Sequence, residues 1–218
     1  MPERLLKLLD RLRHPQTGCP WDREQTPASL CAGILDEAFE LVDAIENHGP
    51  LQVAEELGDL LFQLLFVVHI YARKEQFSLD EVIDGIAAKM IRRHPHVFGG
   101  ETLTTSRQVI NRWEQIKLGE NRQGHPLDSV PLALPALAQT KRLWSRASRL
   151  GLVEDKPVRE RELKDMLEQT LISGEARQLA DFLFKLVIWA SQRHLDGETL
   201  LRAANREFKN AVKEQGRE

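Results

Sequence analysis

A chain of 218 residues with 30 Lys and Arg against 33 Asp and Glu, net charge -3, has room for one domain or two small ones, and its dispersed basic residues give no electrostatic footprint for nucleic acid. Two cysteines, Cys19 and Cys31, form neither a CxxC pair nor a disulfide framework, which fits a reducing cytoplasm. The longest apolar run, from Leu64 to Val68, is far too short to span a bilayer, and the dominance of helix formers over strand-like alternation predicts an all-α fold.

Residues 3 to 13 predict a short amphipathic helix with Leu5, Leu8, Leu9 and Leu12 on one face. Glu3, Arg4, Lys7 and Asp10 among those leucines are unlike a signal peptide. From Gln16 to Pro27, Gly18, Pro20 and Pro27 predict a loop in which Trp21 lies as a lid over the core, with a ligand contact as the alternative. A helix then runs to about Asn47, where His48, Gly49 and Pro50 form a turn, and a second runs from about Leu51 to Lys74.

These two helices repeat one pattern. On a helical wheel of about 100° per residue, Ile34, Ala38, Leu41 and Ile45 form an apolar stripe with Glu37 and Glu40 together on its flank. In the second, Val53, Leu57, Leu60, Leu64 and Val67 form the stripe, with Glu56 and Asp59 on the same flank. Packed antiparallel, the helices would line one groove with four carboxylates. Like charges that close repel unless a cation lies between them, and all-oxygen ligation suits Mg2+, or Mn2+, better than zinc. Gly58, inside the second helix, predicts close approach of a neighbouring helix. Phe62, Leu65 and Phe66 lie opposite the stripe, so this helix needs cover on two sides, from a homodimer or a further helix layer.

Ser78 with Glu81 predicts a capping box opening a third helix, which ends in Lys89, Arg92, Arg93 and His94 before Pro95. That cationic end answers the helix dipole, or reaches the phosphates of a ligand held by the acidic groove. His94 and His96 have no partners at zinc spacing. A fourth helix, about Ser106 to Leu118, carries Trp113 and Lys117 at i,i+4; Trp113 packs in the core or stacks on a base. Gly119 to Asp128 predicts a linker, followed by a helix from Ala133 to Arg149 broken at Gly151.

The remainder resembles the first unit. Ala180-Asp181-Phe182-Leu183-Phe184 aligns with Gly58-Asp59-Leu60-Leu61-Phe62, Leu186 with Leu64, and Glu162 and Asp165 with Glu37 and Glu40. Gln178 stands for Glu56 and Glu207 for Lys89, so the second copy is expected to be structural. The domains are then 1–120, a linker 121–131, and a degenerate repeat 132–218.

Five blocks together resemble the MazG nucleoside triphosphate pyrophosphohydrolases: Cys19-Pro20-Trp21-Asp22, Leu35 to Glu40, Glu55 to Phe62, Arg92 to Phe98 and Trp113 to Lys117. The resemblance is strong over about the first 120 residues and weak beyond. It implies an all-α bundle, usually dimeric, that hydrolyses (d)NTPs to monophosphate and pyrophosphate with Mg2+. On that resemblance Glu37, Glu40, Glu56 and Asp59 form the metal shell, with Glu40 or Glu56 orienting the water. Lys89 with Arg92 or Arg93 holds the phosphates, and Trp113 or Lys117 reaches the nucleoside. Two departures stand out: Asp36 replaces a leading Glu, and Ala87 takes the place of an Asn found in some members. Narrower alternatives share the fold, an enzyme of dUTP/dCTP type or one for phosphoribosyl-ATP, and a catalytically idle nucleotide-binding module is the alternative of another class. A di-iron carboxylate bundle needs Glu-x-x-His on two helices, a pattern this sequence lacks.

Overall fold

A computed structural model describes residues 3–120, 125–154 and 156–215. The fold is all-α, with no strand among the described residues. Two compact units divide it, Met1–Ile116 and Lys117–Glu218. Of the expected linker, residues 121–124 lie outside the described residues, while Pro126–Ser129 forms one 3-10 turn.

In the first unit, α1 (Glu3–Leu12), α3 (Leu30–Asn47) and α4 (Pro50–Ala72) share a core of Leu9, Leu30, Leu65, Phe66 and Ile70. The hairpin between α3 and α4 follows from local chemistry: Gly49 is extended at the N-cap and Pro50 fills the first helical position, where a missing N–H costs nothing. α1 is fastened to α4 by Asp10, which meets His69 Nε2 at 3.0 Å and accepts from Arg73 Nη2 at 3.0 Å. Arg13 lies 5.2 Å above the Phe66 ring and donates to the backbone oxygens of Asp22 and Gln25. α1 thus supplies one of the two covers that α4 requires.

The segment after α1 departs from the expected loop. Pro20 opens a short helix, α2 (Pro20–Glu24), that buries Asp22 and turns Trp21 outward, 61% exposed, so Trp21 is no lid over the core. Gly18 is the glycine this turn requires, because a Cβ there would sit 2.3 Å from the Leu12 carbonyl oxygen. Gly58 also reads differently: a Cβ there would meet nothing within 4 Å, and the close approach of α3 and α4 falls at Gly33, where a Cβ would meet Gln63 Nε2 at 3.1 Å.

α5 (Leu79–Arg93) opens with the expected capping box, Ser78 Oγ accepting from the Glu81 N–H and the Glu81 carboxylate accepting from the Ser78 N–H at 2.6 Å. α6 (Pro95–Phe98) and α7 (Ser106–Glu120) follow. Glu101 accepts a two-pronged hydrogen bond from the Arg112 guanidinium, which ties the intervening loop to α7. This unit leaves apolar side chains bare: Phe39 on α3, Leu57, Leu61 and Leu64 on α4, and Ile83 and Ile86 on α5 are about half exposed. Two of the five residues in the stripe expected to seal α4 against α3, Leu57 and Leu64, are therefore about half exposed.

The second unit holds α8 (Ala136–Arg149), α9 (Glu160–Ser173), α10 (Ala176–Gln192) and α11 (Gly197–Gln215). α8 begins later than expected because Pro135 takes its N-cap and disfavours helical backbone at Leu134. Val158, Leu163 and Ile188 form the core, with Trp144, Phe182, Leu186 and Trp189 against it. Gly174 ends α9 in the left-handed conformation, φ 66°. Asp196 caps α11 through the Thr199 N–H and accepts from Lys141 Nζ on α8.

Candidate metal centre

The i,i+3 spacing on α3 and α4 sets two pairs of carboxylates on the facing flanks of one hairpin. Glu37, Glu56 and Asp59 come together there, each offering an oxygen that lies within 4.8 Å of the others. Glu40 stands outside this close group and instead lines, with Glu56, an adjoining open cavity of about 440 Å³. Phe39, Asp43, His48 and Gln52 share its wall.

The electrostatics follow from the geometry. Partial burial is the largest effect on Glu37 and pushes its carboxyl above the ordinary glutamate range; the charges of Asp59, Glu40, Glu56 and Asp36 push the same way. A cation placed among Glu37, Glu56 and Asp59 would reverse that repulsion. The donor set consists of hard carboxylate oxygens and holds no sulfur or imidazole, so it fits a hard divalent ion.

Gln52, which the sequence reading missed, lines the candidate site. Its side-chain amide donates to Glu56 Oε1 at 2.5 Å from one turn earlier on α4, which fixes the carboxylate's orientation. The i,i+4 spacing of Gln52 and Glu56 was the available signal.

The expected phosphate and base contacts are placed less closely. Lys89 and Arg92 are exposed on α5, whereas Arg93 is half buried with its guanidinium 5.7 Å from the Trp113 ring centre. Trp113 also meets His94 edge-on at 5.0 Å, so it packs against the end of α5. Lys117 falls in the second unit.

The sequence profile of the MazG nucleotide pyrophosphohydrolase domain matches residues 25–98, the span that carries all four acids. A nucleoside triphosphate pyrophosphohydrolase of Escherichia coli strain K12 is 34% identical over 97% of this chain and 86% of its own length. The chain belongs to the MazG family. A second MazG relative, the nucleoside triphosphate pyrophosphohydrolase/pyrophosphatase MazG of Thermotoga maritima, is 33% identical over 94% of this chain and 82% of its own. A crystal structure of a mazG-related protein from Thermotoga maritima aligns with 53% of this chain and 98% of that one, at TM-score 0.45 and 25% identity. Membership makes this MazG chain an enzyme, a hydrolase of diphosphate bonds, and agrees with the all-α fold.

Proposed function

We propose that this MazG chain hydrolyses nucleoside triphosphates, (d)NTPs, to the monophosphate and pyrophosphate, as a housecleaning enzyme of the cytoplasmic nucleotide pool. The observation that carries this reading is the meeting of Glu37, Glu56 and Asp59 across one helical hairpin in a chain of this family. Glu37, Glu56 and Asp59 would hold Mg2+, or Mn2+, which when bound neutralises the triphosphate and polarises the phosphorus that is attacked.

The chain's own residues divide the remaining work. Gln52 holds Glu56 in a fixed orientation, which leaves Glu40, outside the close group and beside the open cavity, to accept the proton of the attacking water. Attack at the α-phosphorus forms a new P–O bond to the water oxygen, breaks the α–β bridge, and sends the bridging electron pair out with pyrophosphate. Lys89 with Arg92 or Arg93 takes the charge of the phosphates, and Trp113 or Lys117 reaches the nucleoside.

A homodimer or higher homo-oligomer supports this site, because the half-exposed apolar residues of α3, α4 and α5 need a partner surface. The second unit is a degenerate repeat with a structural role. Release of pyrophosphate and monophosphate, measured across a panel of ribo- and deoxynucleotides with and without Mg2+, tests the reading. Turnover of several triphosphates that stops on chelation is expected; turnover of a single nucleotide would replace it with a narrower enzyme, and no turnover with any would overturn it.

A further inference from the structure

The two units place one position in the same register with opposite chemistry. Gln63 lies four residues past Asp59 and seven past Glu56, on the same flank of α4 and against α3 at Gly33, one turn from Glu37. Its side-chain oxygen is buried with no hydrogen-bond partner. In the register that aligns Asp181 with Asp59, the corresponding residue is Lys185 on α10. Lys185 Nζ lies 2.9 Å from Glu162 Oε1, and Glu162 is the residue that aligns with Glu37.

The consequences for the two acids are opposite. Glu37 has Glu56 and Asp59 oxygens within 4.8 Å, whereas Glu162 has the ammonium group of Lys185 against it. Arg177 adds a second cation to the later groove, 3.1 Å from Asp181. Two of the three acids that align there are paired with a base, Glu162 with Lys185 and Asp181 with Arg177, and Gln178 stands where the fourth acid would be. The first groove has four acids and, at the matching positions, Gln63 and Glu55.

We propose that the residue one turn past the aspartate of the hairpin's second helix, Asp59 or Asp181, decides which cation its groove holds: Gln63 leaves the place open for a divalent ion, and Lys185 fills it with its own ammonium group. The second unit is therefore complete without an ion, its groove filled by Lys185 and short of the acid that Gln178 replaces. The inference rests on the reading of Glu37, Glu56 and Asp59 as an ion site. It adds that Gln63 matters there by being uncharged, so that the groove stays free.

Mn2+ titration of the full chain, with free Mn2+ followed by electron paramagnetic resonance, tests this. Wild type is expected to bind Mn2+, and a wild type that binds none would defeat the ion reading itself. Gln63→Lys is expected to weaken binding at least tenfold, while Gln63→Met, of similar size and uncharged, keeps it within a few-fold. A Gln63→Lys protein with wild-type affinity would overturn the proposal. In a background of Glu37→Gln, Glu56→Gln and Asp59→Asn, Mn2+ binding is expected to vanish; adding Gln178→Glu with Lys185→Gln is expected to restore a bound ion. Binding that persists in that background, with Lys185 in place, overturns the proposal, as does failure of the added pair to restore it in a protein whose helical circular dichroism is unchanged.

Discussion

Gln52 and Glu56 are joined one helical turn apart on α4, the amide of the first donating to a carboxylate oxygen of the second, and Glu56 is also the acid that Glu37 and Asp59 approach. Gln52→Leu keeps the helix and removes the donor. An outer partner of a ligating carboxylate typically contributes about 10- to 100-fold in metal affinity or activity. The expected outcome is a loss in that range, seen in Mn2+ affinity and in kcat, with the melting temperature little changed. Equal affinity in wild type and variant would remove Gln52 from the site.

Replacing a carboxylate of the close group acts more directly. Glu37→Gln, Glu56→Gln and Asp59→Asn each remove a charge where three acids meet, and an ion's stabilisation of a phosphoryl transition state amounts to several kcal/mol. Turnover is expected to fall on the order of 10³-fold or more in each, since about 1.4 kcal/mol is tenfold in rate. Glu40→Gln separates the roles: because Glu40 stands outside the group, it is expected to keep Mn2+ binding and lose turnover. Mn2+ affinity measured beside initial rates checks both, and loss of the ion in Glu40→Gln would contradict the proton-accepting role.

How far these features were legible from the sequence depended on the distance over which they are encoded. The acid pairs, the hairpin turn at Gly49-Pro50 and the Ser78–Glu81 box depend on neighbours within one turn, so spacing alone located them. The burial of Leu65 and Phe66 under α1, the outward turn of Trp21 and the inward turn of Asp22 depend on contacts between segments that no periodicity states. Gly58 and Gly33 show the same limit. Both are helical glycines, and only the tertiary arrangement reveals that Gly33, not Gly58, faces a neighbour at 3.1 Å.

Phe66 is among the most buried side chains of the first unit and shares its core with Leu9 of α1. Phe66→Ala removes the ring, leaves a cavity, and deprives the Arg13 guanidinium of the face it lies over. A cost of about 3–5 kcal/mol is expected. Urea unfolding followed by circular dichroism measures it, and a cost below about 1 kcal/mol would mean that α1 does not seal α4.

Asp196 joins a helix cap to an ion pair, and the two contributions can be separated by pH. The hydrogen bond from Lys141, then that from the Thr199 N–H, holds its carboxyl below the ordinary aspartate value. The folded form therefore releases its proton at lower pH than the unfolded form. The stabilisation is full above the unfolded value, near 4, and disappears as pH falls through the folded one. Asp196→Asn keeps the cap and removes the charge; both partners are about 40% exposed, so screening limits the loss at pH 7 to less than about 1 kcal/mol. Asp196→Ala loses the cap as well, about 1 kcal/mol more. Thermal unfolding between pH 7 and pH 3 is expected to show the wild type and Asp196→Asn curves converging at the acid end.

Leu61 on α4 and Ile83 on α5 are among the bare apolar side chains, 45% and 46% exposed in a single chain. If a second copy covers them, a glutamate at either position leaves the isolated chain's fold intact and places an uncompensated charge in the paired surface. Burying such a charge costs several kcal/mol, and every 1.4 kcal/mol weakens association about tenfold. Light scattering coupled to size exclusion is expected to give a dimer or larger assembly for wild type and a monomer for Leu61→Glu and Ile83→Glu at the same micromolar concentration, with unchanged helical circular dichroism. Because α4 carries Glu56 and Asp59 on its neighbouring flank, turnover is expected to fall with the loss of the assembly and to recover in part as protein concentration is raised. A wild type that runs as a monomer with full activity would refute the paired arrangement and leave the bare apolar side chains of α3, α4 and α5 to some other cover.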